Sequence, residues 1–145
     1  MARYFSPETD PYLFKCPCGR PECDAPAPSL ELLELLDAIR EALGRGTMVD
    51  SGPRCAFWNR EVGGEDPSTH LHGEGADVMI LSTHDRELVD DVRRARGYRR
   101  LGVGNTFMHV DVTRRPEFAQ GVMWHYYGLA RKSSSWLRPI AQKGA

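Results

Sequence analysis

A chain of 145 residues, 41% hydrophobic and 27% charged, has the length of one domain and apolar material for one core, which excludes disorder throughout. A formal net charge of −1 gives no sign of a nucleic-acid binder or of an acidic-surface partner. No apolar run approaches the ~20 residues of a membrane span, and Met1 to Phe14 hold charges and prolines in place of an apolar signal core, so the expected product is a soluble chain made in the cytoplasm, and a monomer is expected.

Residues 1–28 hold six of the ten prolines and read as an extended, turn-rich arm. Ser29 is a good N-cap. Leu30, Leu32, Leu33, Leu35, Leu36, Ile39 and Leu43 then recur at helical spacing until Gly44 and Gly46, which predicts a helix over 30–43. A short strand is expected over 47–50, ending in Ser51-Gly52-Pro53, and a short helix over 54–62, closed by Gly63-Gly64. Residues 65–75 read as a loop and 76–81 as a strand. Thr83 is the expected cap of a second long helix over 84–96, ended by Gly97. Strands follow at roughly 98–103 and 107–113, and a basic, weakly ordered tail is expected from Leu129. This order suggests an α+β domain with a small, mostly antiparallel sheet and flanking helices. The expected organisation is an arm at 1–28, a domain at 29–128 and a tail at 129–145.

Two stretches carry metal-binding chemistry: Ser68-Thr-His70-Leu-His72-Gly-Glu-Gly-Ala-Asp77 and Phe107-Met-His109-Val-Asp111. A zinc hydrolase site needs three ligands of the His/Asp/Glu type and one open position. His70 lies in a glycine-containing loop, Asp77 at the start of the next strand, and His109 on a neighbouring strand. Asp111 shares a face with His109, because strand side chains repeat every two residues. From spacing alone, a His-rich loop is more often a solvated surface than a ligand set. That simpler reading suffices for His84 and His125 and fits His72.

Taken together these residues resemble a known family. Ser68-x-His70-x-x-Gly73-x-x-Ala76-Asp77 is similar to the central signature of the zinc D-alanyl-D-alanine carboxypeptidases. That family includes phage endolysins that cut peptidoglycan cross-peptides, and it shares its fold with the Hedgehog signalling domain. Ser51-Gly52-Pro53-Arg54 resembles the family's Ser-Gly-Tyr-Arg stretch, continued by Asn59-Arg-Glu-Val-Gly-Gly64. Phe107-Met-His109-Val-Asp111 looks like its closing zinc strand. The resemblance covers about 29–115, with the three motifs in order. It implies zinc held by His70, Asp77 and His109, with Arg54 facing a substrate carboxylate or the developing oxyanion and Ser68 bonding substrate or steadying the loop. The implied activity is hydrolysis of peptidoglycan peptides by a carboxypeptidase or an endolysin-type endopeptidase, carried to the wall by something else or as part of a virion.

The chain departs from the family in two places. Many members place an acid three residues before the last zinc His; here Thr106 stands there, and Asp111 becomes the expected general base. Pro53 replaces the tyrosine of Ser-Gly-Tyr-Arg. Thr106 keeps a second reading open, a zinc-holding binding module or virion part of the same fold without turnover. The aromatic run Trp124 to Tyr127 reads as packing more readily than as a sugar platform.

The four cysteines Cys16, Cys18, Cys23 and Cys55 allow three disulfide pairings. In a chain without a signal peptide, thiols or a metal cluster are expected ahead of bridges. Cys16 and Cys18 are separated by one residue where standard zinc sites have two, and Cys55 would have to supply the fourth ligand of a structural metal.

Overall fold

The computed structural model describes residues 4–5, 14–46, 49–65, 67–126 and 138–139. Helix α1 runs Leu30–Leu43, as its apolar spacing predicts. The Ser29 side chain accepts from the Leu32 amide, and Gly44 ends the helix at φ 70°, a conformation that costs glycine little. Strand β1 is Val49–Ser51 and helix α2 is Ala56–Glu61, capped by the Cys55 side chain. The expected loop contains a 3-10 turn, Thr69–His72, and leads into β2, Gly75–Met79. Helix α3 is Thr83–Ala95, and its cap is Ser82 where Thr83 was expected. Ser82 is extended and accepts from the Asp85 amide, while Thr83 already lies in the first turn. Strands β3, Arg100–Gly104, and β4, Phe107–Asp111, form a hairpin. Strand β5, Val122–Tyr126, was not expected from the sequence, and the two-residue strand β6, Arg138–Pro139, pairs with it. The rest of the expected basic tail lies outside the described residues.

The sheet order is β1-β2-β4-β3-β5-β6. It is mostly antiparallel, as expected, but mixed, because β5 runs parallel to β3. The chain leaves β4, passes through residues 112–121 around the end of β3, and returns on its far side.

Strand alternation divides the sheet into two faces. Ala76 and Val78 of β2, Leu101 and Val103 of β3, and Met108 and Val110 of β4 join one buried apolar cluster with Leu32, Leu33, Leu35, Leu36 and Ile39 of α1 and Val89 of α3. Phe5 and Phe14 belong to the same cluster and meet edge to face, so the N-terminal arm contributes to the core. The alternate residues Gly75, Asp77, Gly102, His109, Asp111 and Trp124 fall on the other face. Alternate positions of β2 and β4 are thus sorted by period two into core and site.

Candidate metal centre

Register brings the strand-borne groups together. Asp77 of β2 pairs directly with His109 of β4, and Gly102 of β3 sits opposite His109 on the other side. The third group comes from the 3-10 turn. Ser68 caps that turn by accepting from the His70 amide, and Gly73 closes it at φ 67°, against the Ala27 carbonyl. A side chain at Gly73 would be strained and would strike that carbonyl. The turn is tied to the preceding motif in both directions: the Arg54 amide donates to the His70 carbonyl, and His70 Nδ1 lies 2.7 Å from the Gly52 carbonyl.

His70, Asp77 and His109 each offer a ligand atom, and these atoms lie within 4.8 Å of one another. All three residues are buried. A carbonyl can only accept, so His70 Nδ1 carries the proton and Nε2 presents its lone pair. That nitrogen lies 3.4 Å from Asp77 Oδ1. His109 Nδ1 lies 3.0 Å from the same oxygen. Two imidazole nitrogens and one carboxylate oxygen, each with its far side already held, suit a zinc ion. No residue has to be moved between elements to assemble the set.

The groups behind the ligands are equally defined. Arg54 Nη2 lies 3.5 Å from Asp77 Oδ2, while Nη1 donates to Asn59 Oδ1 and Nε and Nη2 donate to Ser51 Oγ. The Arg54 side chain is 4% exposed, and its guanidinium meets these protein groups. Gly64 makes room for it: a Cβ there would collide with Asn59 Oδ1 and crowd Arg54 Nη1. Asp111 Oδ2 lies 2.8 Å from His109 Nε2, the ring nitrogen opposite the one that faces Asp77. Arg100 Nε donates to both Asp111 oxygens, at 3.1 and 3.0 Å. Asp111 thus lies behind His109, on the side of the ring away from Asp77, and is held there by Arg100. Thr106 is exposed at the β3–β4 turn.

The local field follows from these contacts. Burial is the largest influence on all four titrating groups. It holds His70 below the ordinary histidine range, with Asp77 pulling the other way. At His109 burial is outweighed by the bonds to Asp111 and Asp77, which raise it. Asp77 stays well below the carboxylate range despite burial, because of His70 and His109. Asp111 is lowered against burial by His109 and Arg100. The centre is thus a buried pair of anions balanced by imidazoles and two guanidinium groups.

Five further side chains, whose parts the sequence did not show, complete the centre. Thr69 Oγ1 lies 3.2 Å from His109 Nε2. Trp124 stacks at 5.5 Å from the His109 ring, and its Nε1 has no hydrogen-bond partner among the described residues. Arg100 crosses from β3 to Asp111 and also holds the Ala119 carbonyl. Ser51 and Asn59 fix Arg54. Gly75 and Gly102 leave the space these groups fill, since a Cβ at either would press on His109 and on Thr69 or Trp124. The glycines themselves were the available signal. His72 stands apart, edge-on to Phe118 and 4.0 Å from Glu117.

A family model described as Peptidase M15 matches residues 8–112, well over half of the chain. No curated protein matches it. The matched span contains all three ligand candidates and every group behind them named above except Trp124 and the Ala119 carbonyl. The chain belongs to the Peptidase M15 family of zinc D-alanyl-D-alanine carboxypeptidase-like peptidases.

Proposed function

We propose that this protein hydrolyses peptide bonds in bacterial peptidoglycan, as a D-alanyl-D-alanine carboxypeptidase or an endolysin-type endopeptidase, using zinc held by His70, Asp77 and His109. The observation that carries this reading is the convergence of His70 Nε2, His109 Nδ1 and an Asp77 oxygen within 4.8 Å, on a chain of peptidase family. When bound, zinc supplies a Lewis acid for the scissile carbonyl and lowers the pKa of a water toward ~7.

The chain's own residues do the positioning. Gly52 fixes the His70 tautomer through Nδ1. Asp111, itself gripped by Arg100, orients His109 from behind and strengthens its Nδ1 as a donor of electrons. Arg54 draws Asp77 Oδ2 aside so that Oδ1 faces both histidines, and its charge offsets the anion that develops in hydrolysis. Ser68 holds the turn that carries His70. Trp124 closes the wall beside His109 and keeps water from its ring face.

Digestion of purified muropeptides with the zinc-loaded protein, read by mass spectrometry, tests the assignment. Loss of a terminal D-alanine identifies the carboxypeptidase; separation of cross-linked dimers identifies the endopeptidase. A zinc-loaded protein that binds muropeptides and leaves every bond intact would favour the non-catalytic module.

A further inference from the structure

We infer that Cys16, Cys18, Cys23 and Cys55 form a second metal site, a tetrathiolate that takes zinc and fastens the N-terminal arm to the wall of the His70–Asp77–His109 centre. Their four sulfurs lie within 4.8 Å of one another. Tetrahedral zinc with Zn–S near 2.3 Å places its sulfurs about 3.8 Å apart. Cys16 Sγ and Cys55 Sγ are 3.7 Å apart, far beyond the ~2.05 Å of a disulfide and close to that edge.

The backbone is arranged as thiolates require. The Cys55 amide points to Cys16 Sγ, the Arg20 amide to Cys18 Sγ and the Trp58 amide to Cys55 Sγ, each at 3.4 Å. Such N–H groups offset negative charge on sulfur. Gly19, at φ 68°, turns the chain so that the Arg20 amide reaches back to Cys18. An all-sulfur donor set selects zinc over magnesium or calcium. The four thiols are brought together only in the folded chain, so metal binding there stabilises the fold, and release of the thiol protons makes that binding pH-dependent.

The location gives the site its use. Cys55 follows Arg54 and caps α2, the helix that carries Asn59. At its other end the arm is tied by the Ser29 amide to the Gly73 carbonyl, in the turn that carries His70. The metal would therefore brace both segments that flank the active centre.

The test is metal and thiol counting on protein purified under reducing conditions. Wild type is expected to carry two zinc ions, and His70→Ala to keep one. Titration of native wild type with a mercurial should release one zinc as four thiols react. Cobalt-loaded His70→Ala should show sulfur-to-cobalt charge-transfer absorption, which the histidine–carboxylate centre cannot produce. The mercurial titration needs no variant, so misfolding of His70→Ala would not hide the answer. Four thiols that titrate freely while no zinc is released, or a Cys16–Cys55 disulfide in the reduced preparation, would overturn the site.

Discussion

His109 is held on both ring nitrogens, and the two contacts have different consequences. Asp77 shares the side that faces His70, and Asp111 holds the far side. Replacing Asp111 by Asn should lower zinc affinity about 10- to 100-fold, the usual cost of losing a carboxylate behind a metal-bound histidine. Turnover should return to within a few-fold of wild type once zinc saturates the site. A loss of ~10²-fold that persists at full zinc occupancy would restore Asp111 as the general base. Arg54→Lys tests the second anchor: lysine keeps the charge but cannot span Ser51, Asn59 and Asp77 at once. The folded protein should bind zinc more weakly, roughly tenfold by titration, and unchanged affinity and activity would show that the fork is dispensable. The candidate ligands were legible through the motif they resemble, which runs through a glycine turn into a strand. The part Asp111 plays was not, since alternation gives the shared face but not which ring nitrogen is met. Arg100 was hidden for a related reason. Only the β3–β4 register, Leu101 with Val110 and Gly102 with His109, carries it to Asp111.

At the level of elements, caps predicted helices well and long-range pairing decided the rest. Helix α1 matches its leucine spacing to the residue, while α3 begins one residue early because Ser82, not Thr83, adopts the extended cap conformation. Strand β5 was illegible as a strand because its partner β3 lies about twenty residues upstream, and the parallel pairing depends on the 112–121 crossing that Arg100 pins at Ala119. Asp85 illustrates how an element end is secured. It accepts from the Leu81 amide and forms a two-pronged pair with Arg45 at 3.2 and 2.6 Å. The Arg45 bonds, opposed by burial, hold its carboxyl below the ordinary range. A lowered folded-state pKa stabilises above the unfolded value near ~3.9 and loses that contribution as pH falls through the folded value. Asp85→Asn should therefore cost about 2 kcal/mol at neutral pH. The gap from wild type should narrow as pH falls below about 4, where the unfolded carboxyl takes up its proton, and close only below the lowered folded value. Urea unfolding at several pH values checks this, and a gap that does not vary with pH would deny the ion pair its role.

On the scale of the whole molecule, one sheet separates two tasks. Its apolar face is covered by α1, α3 and the two phenylalanines of the arm, while its polar face gathers a candidate metal set from two strands and a turn. None of the described helices is long and apolar enough to cross a membrane. The domain class was readable from local pattern, and the candidate triad from its resemblance to the family's motifs. The arm's place in the core and the closeness of Cys55 to Cys16 rest on packing between segments 39 residues apart, which no local pattern encodes. Peptide hydrolysis by this protein is proposed to need the zinc that His70, Asp77 and His109 would hold. That claim is tested most directly by following the muropeptide cleavage rate while zinc is returned stepwise to fully demetallated protein, wild type beside His70→Ala. Wild type should regain its full rate at stoichiometric zinc, and His70→Ala should regain none at any level. Cleavage that survives complete metal removal, or that returns equally in His70→Ala, would contradict the claim.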